Sequence, residues 1–549
     1  MKWMQVSEPL ENHPRKDLLT YYSRQFNLNP LVILHLFNLG INSESKIENF
    51  LFPSFTQFND PYLFRDMKKA IYFIAKAIVN HELIVIFGDY DVDGMTSSAI
   101  LYKGLNSFKA NVQVRLPLRE EGYGLSAHTI HSLPQETALI ITVDNGSNAH
   151  EALSIARQRG IKVIVTDHHE ITDGEPDCVA FINPKMELEN YPFKELCGAG
   201  VALKVVQALF MADKKPWEML IKEYIELAAL GTIADLVSLT DENRTIVYYG
   251  LQKMNVAPSC IFKHLFSLLK INEVDSTKIS FQIAPIFNSC GRIGDPNKAV
   301  QLLIAKDPCM DELRAMIHIN TERKEMQRNQ YVDLKERILQ ENMQRGRIIA
   351  IHGEYHKGIV GILAARVTEE FKKPAIVISA DGVGSARIVH GTNFSMINTL
   401  TRCSQYLIKY GGHKAAAGLK VSTERPQLEA FFSALHSSAE LEESSSPKVH
   451  YLAEMPFEAW DKNGINDFQT LEPYGLGNPK PIFYSPLSKI QHIEIFGKAL
   501  EHLKLIINKK EIIAYGKAGL YDELAEGLTK GLYTFGERQF HFNLQEISK

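Results

Sequence analysis

The chain of 549 residues has no long apolar run, no basic-then-apolar leader and no C-x-x-C pair. Each absence excludes something. A membrane span needs about 18 or more consecutive apolar residues, and the N-terminus "MKWMQVSEPL" lacks the pattern of a secretory leader. A cytoplasmic address without membrane contact is expected. The six cysteines (Cys178, Cys197, Cys260, Cys290, Cys309, Cys403) are scattered, which argues against a disulfide framework and a structural zinc site. Net charge is only −4, so any hold on a polyanion must come from a local basic surface.

What is present is ordinary globular composition, 45% hydrophobic and 23% charged, in a chain long enough for roughly three to four domains. Residues 1–80 carry helical periodicity interrupted by the Pro-punctuated "LFPSFTQFNDPYLF". Three apolar runs follow, "LIVIFGD", "ALIITVD" and "KVIVTD", each ending in Asp with room for a helix between them. They predict parallel strands with helical crossovers, a doubly wound sheet in a domain over 81–300, with the terminal aspartates on one sheet edge. "CMDELRAMIHINTERKEMQRNQYVDLKERILQENMQRG", in segment 301–346, predicts one charged helix of about 45 Å, enough to hold two domains apart. "RIIAIHG" opens a second α/β domain, 347–435. The polar "SSAELEESSSPK" predicts a linker, and "PIFYSP", "LKLIINKKEIIAYGK" and "QFHFNLQEI" predict a small β-barrel domain within 436–549. The expected fold class is therefore α/β: two α/β domains joined by a long helix, then a small β-barrel.

Chemistry concentrates in carboxylates. "GDYDVDG" sets Asp89, Asp91 and Asp93 at alternate positions, "TVDNGS" supplies Asp144, "VTDHHE" supplies Asp167, His168 and His169, and "ALGTIADLVSL" supplies Asp235. Oxygen-rich clusters with a few imidazoles suit Mn²⁺ or Mg²⁺. Gly88 and Gly94 let the loop bend close around ions, and "CGAG" (Cys197–Gly200) is expected to form a tight turn. One strand-terminal Asp is ordinarily a loop or cap residue; several in one α/β unit, with adjacent histidines, point to metal.

These residues resemble the DHH phosphoesterase superfamily, with Asp167-His168-His169 as its signature. Within it they resemble the RecJ family of single-strand-specific 5′ to 3′ DNA exonucleases. "LPLREEGYGLS", "IAPIFNSCGRIGDP", "INTERKEMQ", "YHKGIVGILAARV", "GSARI", "GGHKAAAGL" and "LEPYGLGNPKPIF" match further motifs across roughly residues 45–500. The resemblance implies a catalytic DHH domain, a DHH-associated domain (DHHA1) and an oligonucleotide-binding (OB) fold, with release of mononucleotides in DNA repair and recombination. It also implies two divalent cations, Mn²⁺ preferred or Mg²⁺, about 3.5–4 Å apart. Ligand roles fall on Asp91, Asp93, Asp144, His168 and Asp235, with Asp144 the best bridging candidate. Asp89 either ligates through water or orients the ligands.

His169 is implied to contact the phosphate or leaving group, and Arg292 the phosphate backbone near the active site. Arg119, Ser385 and Arg387 are implied to hold a terminal 5′-phosphate. Gly412 and His413, in a Gly-rich turn, suit close approach of nucleic acid, and Tyr123, between two glycines, suits base stacking. The implied partner is single-stranded DNA, with a helicase and a single-strand-binding protein alongside a monomeric enzyme. Two alternatives stay open: a phosphodiesterase of nanoRNA or cyclic dinucleotides, and a catalytically silent RecJ-like scaffold. "GLYTFGERQFHFNLQEISK" departs from the usual family ending.

Overall fold

A computed structural model describes residues 2–442, 448–487, 490–497, 500–525, 530–536 and 541–548. The apolar runs form strands because they are rich in β-branched residues and buried on both faces. Strand β1 (Lys2–Gln5) and four helices (Lys16–Phe26, Pro30–Asn38, Glu44–Leu51, Met67–Val79) precede the catalytic sheet. That sheet comprises β2 (Leu83–Phe87), β3 (Val112–Arg115), β4 (Thr137–Val143), β5 (Lys162–Thr166) and β6 (Ala180–Ile182), all parallel, in the order β3-β2-β4-β5-β6. The order reverses between β2 and β4, and a doubly wound sheet opens its ligand crevice at such a reversal, beyond the C-terminal strand ends. Helices Gly198–Ala212 and Ile225–Ala234 pack against helix Val92–Asn106, which follows β2, within the largest apolar core.

The predicted long helix is Met310–Gln340, 31 residues, about 46 Å at 1.5 Å per residue. Beyond it lie β7 (Ile349–His352), β8 (Ala375–Ile378), β9 (Val383–Arg387), β10 (Leu407–Gly412) and β11 (Ala416–Val421). They form a mixed sheet in the order β10-β11-β9-β8-β7. Alternate residues of β7 and β8 face helix Val360–Phe371 on one side and helix Arg425–Glu440 on the other, the period-two pattern of a covered sheet. The expected linker is partly helix, since Arg425–Glu440 runs into it; residues 443–447 lie outside the described residues, as do 537–540 of the divergent ending.

The C-terminal domain carries the expected strands, Phe483–Pro486, His502–Ile507, Lys510–Ala514 and His541–Ser548, within a seven-stranded sheet. Its relation to the N-terminus is not evident from the sequence. Strand β12 (Lys448–Tyr451) pairs in parallel with β1, and Leu19, Val32, Leu34 and Leu36 share one apolar cluster with Phe457, Trp460 and Phe468. The two ends of the chain therefore build a single core.

Candidate metal centre and phosphate cleft

The loop after β2 is shaped by close approach. A Cβ on Gly88 would meet Ser98 Oγ at 2.2 Å, and one on Gly94 would meet the Asp89 backbone at 2.4–2.7 Å. Asp91 caps helix Val92–Asn106, its Oδ1 accepting from Gly94 N at 3.1 Å. Asp93, in the first turn, accepts from Gly198 N at 2.6 Å and Ala199 N at 2.8 Å. The "CGAG" stretch is thus not a tight turn: Cys197 caps helix Gly198–Ala212, and that helix presents its free amide donors to a carboxylate.

Asp144 follows β4 with φ 61°, and Asp235 caps the end of helix Ile225–Ala234. His168 Nε2 joins them, 3.0 Å from Asp144 Oδ1 and 3.6 Å from both Asp93 Oδ2 and Asp235 Oδ2. At this site, three groupings have donor atoms within 4.8 Å of one another: Asp89/Asp91/Asp144, Asp93/His168/Asp235 and Asp144/His168/His169. Asp144 and His168 each belong to two.

The electrostatics are those of a site needing cations. Burial and neighbouring carboxylates push Asp89 and Asp144 well above the usual range, Asp93 to about 6 and Asp235 to about 9. Burial lowers His168 to about 3, so it is a neutral donor. Asp89 Oδ1 is buried with no hydrogen-bond partner, an orphan acceptor that requires an explanation. Oxygens with a neutral imidazole fit a hard divalent ion, and the residues present fit the metals expected from sequence.

Asp167 has a different task. It accepts from Ser147 N (2.9 Å), His168 N (2.7 Å), His169 N (3.2 Å) and His169 Nδ1 (2.8 Å). Burial opposes its ionisation, but those bonds and the His169 charge hold it well below the usual range. Burial would likewise lower His169, yet the Asp167 bond and nearby carboxylates raise it to about 9.

Beside the cluster lies a cavity of about 330 Å³ lined by Tyr90, Asp91, Arg119, Arg292, Lys357, Ser385 and Arg387. The Arg119 guanidinium lies 4.5 Å from the Tyr90 ring centre. Arg292 Nη1 donates to Gly358 O at 3.1 Å, and Arg387 Nη1 donates to Ser385 Oγ at 2.9 Å and Ala386 O at 2.7 Å. Among the described residues, no ion pair is formed by Arg119, Arg292 or Arg387. Burial and the charges of Arg119 and Arg323 lower Arg292 to about 10, and burial lowers Arg387. Cations held apart from carboxylates leave positive charge for an anionic ligand.

Three family models match: "DHH family, N-terminal domain" over residues 83–232, "DHHA1 domain" over 345–440 and "RecJ OB domain" over 453–543. The single-stranded-DNA-specific exonuclease RecJ of Bacillus subtilis is 33% identical over 94% of this chain and 66% of its own length. RecJ of Dickeya dadantii is 33% identical over 67% of this chain and 68% of its own. The chain belongs to the RecJ family. It spans about two thirds of the length of these curated relatives. A crystal structure of Thermus thermophilus RecJ in complex with Mn²⁺ shares the fold, with TM-score 0.85 at 24% identity, over all of this chain and 79% of that one.

In this RecJ-family chain, the residues expected to hold metal lie together, as do Arg119, Arg292, Ser385 and Arg387. Gly412 and His413 stand apart from that cavity lining. They occupy the exposed turn from β10 to β11, where Gly412 has φ 141° and His413 N donates to Ala416 O at 2.8 Å. Tyr123 is exposed, with its hydroxyl 3.2 Å from His169 Nε2. Lys357 and Tyr90 are cavity residues the sequence reading did not single out, although both sit inside quoted motifs, "YHKG" and "GDYD". Among the described residues, no helix is long and apolar enough to cross a membrane.

Proposed function

We propose that the chain is a metal-dependent exodeoxyribonuclease that shortens single-stranded DNA from its 5′ end, releasing mononucleotides in repair and recombination. The observation that carries this reading is one shared residue: Asp91 belongs to the carboxylate cluster and also lines the arginine cavity. A hydrolytic centre and an anion cradle then open onto each other. A terminal 5′-phosphate carries more charge than an internal diester, and guanidinium forks match its geometry. Seating it among Arg119, Ser385 and Arg387 would bring the first diester to the carboxylates, which accounts for polarity and for a one-nucleotide product.

Asp91, Asp93, Asp144, His168 and Asp235 would hold two divalent ions, Mn²⁺ by preference or Mg²⁺. Such ions neutralise the clustered charge and acidify a bound water. Asp89 ligates through water or orients the ligands, Arg292 neutralises the phosphate backbone, and His169, fixed by Asp167, meets the phosphate or leaving oxygen. The helix start at Gly198 holds Asp93 fixed. Support for the substrate comes from relatives described as single-stranded-DNA-specific, and support for the metal from the Thermus protein described in complex with Mn²⁺.

The test is a long, 5′-phosphorylated single strand labelled at its 3′ end, given Mn²⁺, Mg²⁺ or chelator, beside the same strand in a blunt duplex. Stepwise metal-dependent shortening of the single strand, absent on duplex, is expected. Turnover of dinucleotides with the long strand untouched would move the chain to the small-substrate phosphodiesterases, and no turnover of either would make it a scaffold.

A further inference from the structure

Tyr123 is delivered by the same loop that carries Arg119. Arg115 Nη2 and Leu118 N both bond Glu121, at 3.1 and 3.0 Å, tying down the base of the loop. Gly122 (φ 95°) and Gly124 (φ 70°) on either side of Tyr123 adopt left-handed backbone that a side-chain-bearing residue resists. The flanking glycines let the hydroxyl reach His169 while the residue stays 54% exposed. Its hydroxyl lies 3.2 Å from His169 Nε2 and 3.4 Å from Nδ1, and 3.5 Å from Asp144 O. The Tyr123 ring stands edge-on to both His169 (5.9 Å, 80°) and Tyr90 (6.2 Å, 80°).

His169 therefore has two anchors. Asp167 Oδ1 takes the Nδ1 side at 2.8 Å, and the Tyr123 hydroxyl lies against the ring, 3.2 Å from Nε2 and 3.4 Å from Nδ1. A hydroxyl both donates and accepts, so this second anchor serves a bare nitrogen and an N–H alike.

We propose that Tyr123 is a positioning residue for hydrolysis: its hydroxyl fixes the His169 ring against the scissile phosphate. This deepens the nuclease reading and rests on it. The ring face is not what the reaction needs; the oxygen is. Stacking on a base requires the ring alone and is indifferent to the hydroxyl.

The experiment compares Tyr123→Phe, Tyr123→Leu, His169→Ala and the double variant Tyr123→Phe/His169→Ala on a 5′-phosphorylated single strand with Mn²⁺. Strand affinity is measured separately in chelator, and melting temperature confirms folding. Tyr123→Phe should lower kcat about tenfold, the loss expected for one hydrogen bond, with KM and chelator affinity unchanged. In the double variant the Phe substitution should add nothing to the His169→Ala loss, because residues acting through one another are not additive. Tyr123→Phe with wild-type kcat, or a tenfold loss that persists in the His169→Ala background, overturns the proposal. So does loss of chelator affinity in Tyr123→Leu with an unaffected Tyr123→Phe, which assigns stacking instead. A wild-type chain inactive on the strand refutes the nuclease reading, and this proposal with it.

Discussion

Without metal, the stability of the catalytic domain should fall as pH rises above neutrality. Asp235 holds its proton to about 9 in the folded chain, because burial and the carboxylates of Asp93 and Asp91 oppose ionisation, whereas the unfolded chain releases it near 4. His169, raised to about 9 by Asp167 and nearby carboxylates against the effect of burial, stays protonated where the unfolded imidazole has lost its proton, above about 6.5. In both cases the folded state binds the extra proton, so stability is full below the unfolded pKa and is lost as pH climbs towards the folded one. Each group contributes a slope of about 1.4 kcal/mol per pH unit between pH 6.5 and 9. His168, lowered to about 3 by burial, acts oppositely, but only below about 6.5. The two slopes add, and the raised Asp89 and Asp144 act in the same direction, a loss on the order of several degrees of melting temperature per pH unit for a domain of about 200 residues. The assay is calorimetric melting in chelator from pH 6.5 to 8.5, repeated with Asp235→Asn, which removes one of the titrating groups and should flatten the slope. Saturating Mn²⁺ should abolish it, since cations replace the protons. A melting temperature in chelator that is flat or rising over this window, and the same in Asp235→Asn, would refute the electrostatic account of the cluster.

Asp144→Ala should reduce hydrolysis by three to four orders of magnitude, on the order of removing a core catalytic group, while single-strand affinity in chelator survives because the arginine cavity is intact. Arg387→Ala should raise KM for a 5′-phosphorylated strand by roughly 10- to 100-fold, the worth of a charged hydrogen bond, and change little for a 5′-hydroxyl strand; equal loss on both would remove Arg387 from end recognition. Leu34→Ala, 500 residues from the chain's end yet inside the C-terminal core, should cost about 2–5 kcal/mol and appear as early hydrogen exchange in the C-terminal strands rather than in β2 to β5.

Some of this was legible because the signal is local. "LIVIF", "TALIITV" and "KVIVT" read as strands since burial on both faces demands continuous apolar runs. "VQVR" and "AFI" became β3 and β6 at the sheet edges, too short and, for β3, too polar to stand out. The candidate metal residues were legible as types at fixed spacings, and only the family resemblance, not the spacing, separated Asp144 from Asp167. Asp144 and Asp167 both end strands; only the folded backbone turns one towards the cluster and gives the other three amide donors and an imidazole to bind. "CGAG" misled for a related reason: glycines that permit a turn also permit a helix start to approach a carboxylate, and a Cβ on Gly198 would meet the Asp144 Cβ at 2.6 Å. The pairing of Leu34 with Trp460 in one core spans over 400 residues, beyond any periodicity.

That long-range core bears on how a strand is held. Arg244, 2% exposed, donates from Nε to Phe50 O at 2.7 Å, from Nη1 to Leu471 O at 3.1 Å and from Nη2 to Glu472 O at 2.9 Å, with its guanidinium 3.6 Å from the Phe50 ring centre. Leu239 N donates to Leu476 O at 2.7 Å and Ser276 Oγ to Tyr474 O at 2.6 Å. The catalytic domain, the N-terminal helices and the C-terminal domain are thereby fastened together, whereas the second α/β domain reaches the catalytic one through the long helix and the Arg292–Gly358 bond. Arg244→Met should take the donor from Phe50 O and Glu472 O, while Asn478 Nδ2 still donates to Leu471 O at 2.8 Å; at about 1–3 kcal/mol for a buried acceptor left unpaired, this should loosen the C-terminal domain while sparing the cluster. Affinity for a long strand in chelator should fall, and protease should cut the C-terminal domain sooner. Equal affinity and equal protease resistance in Arg244→Met would mean that the shared core alone suffices to hold the domain beside the cleft.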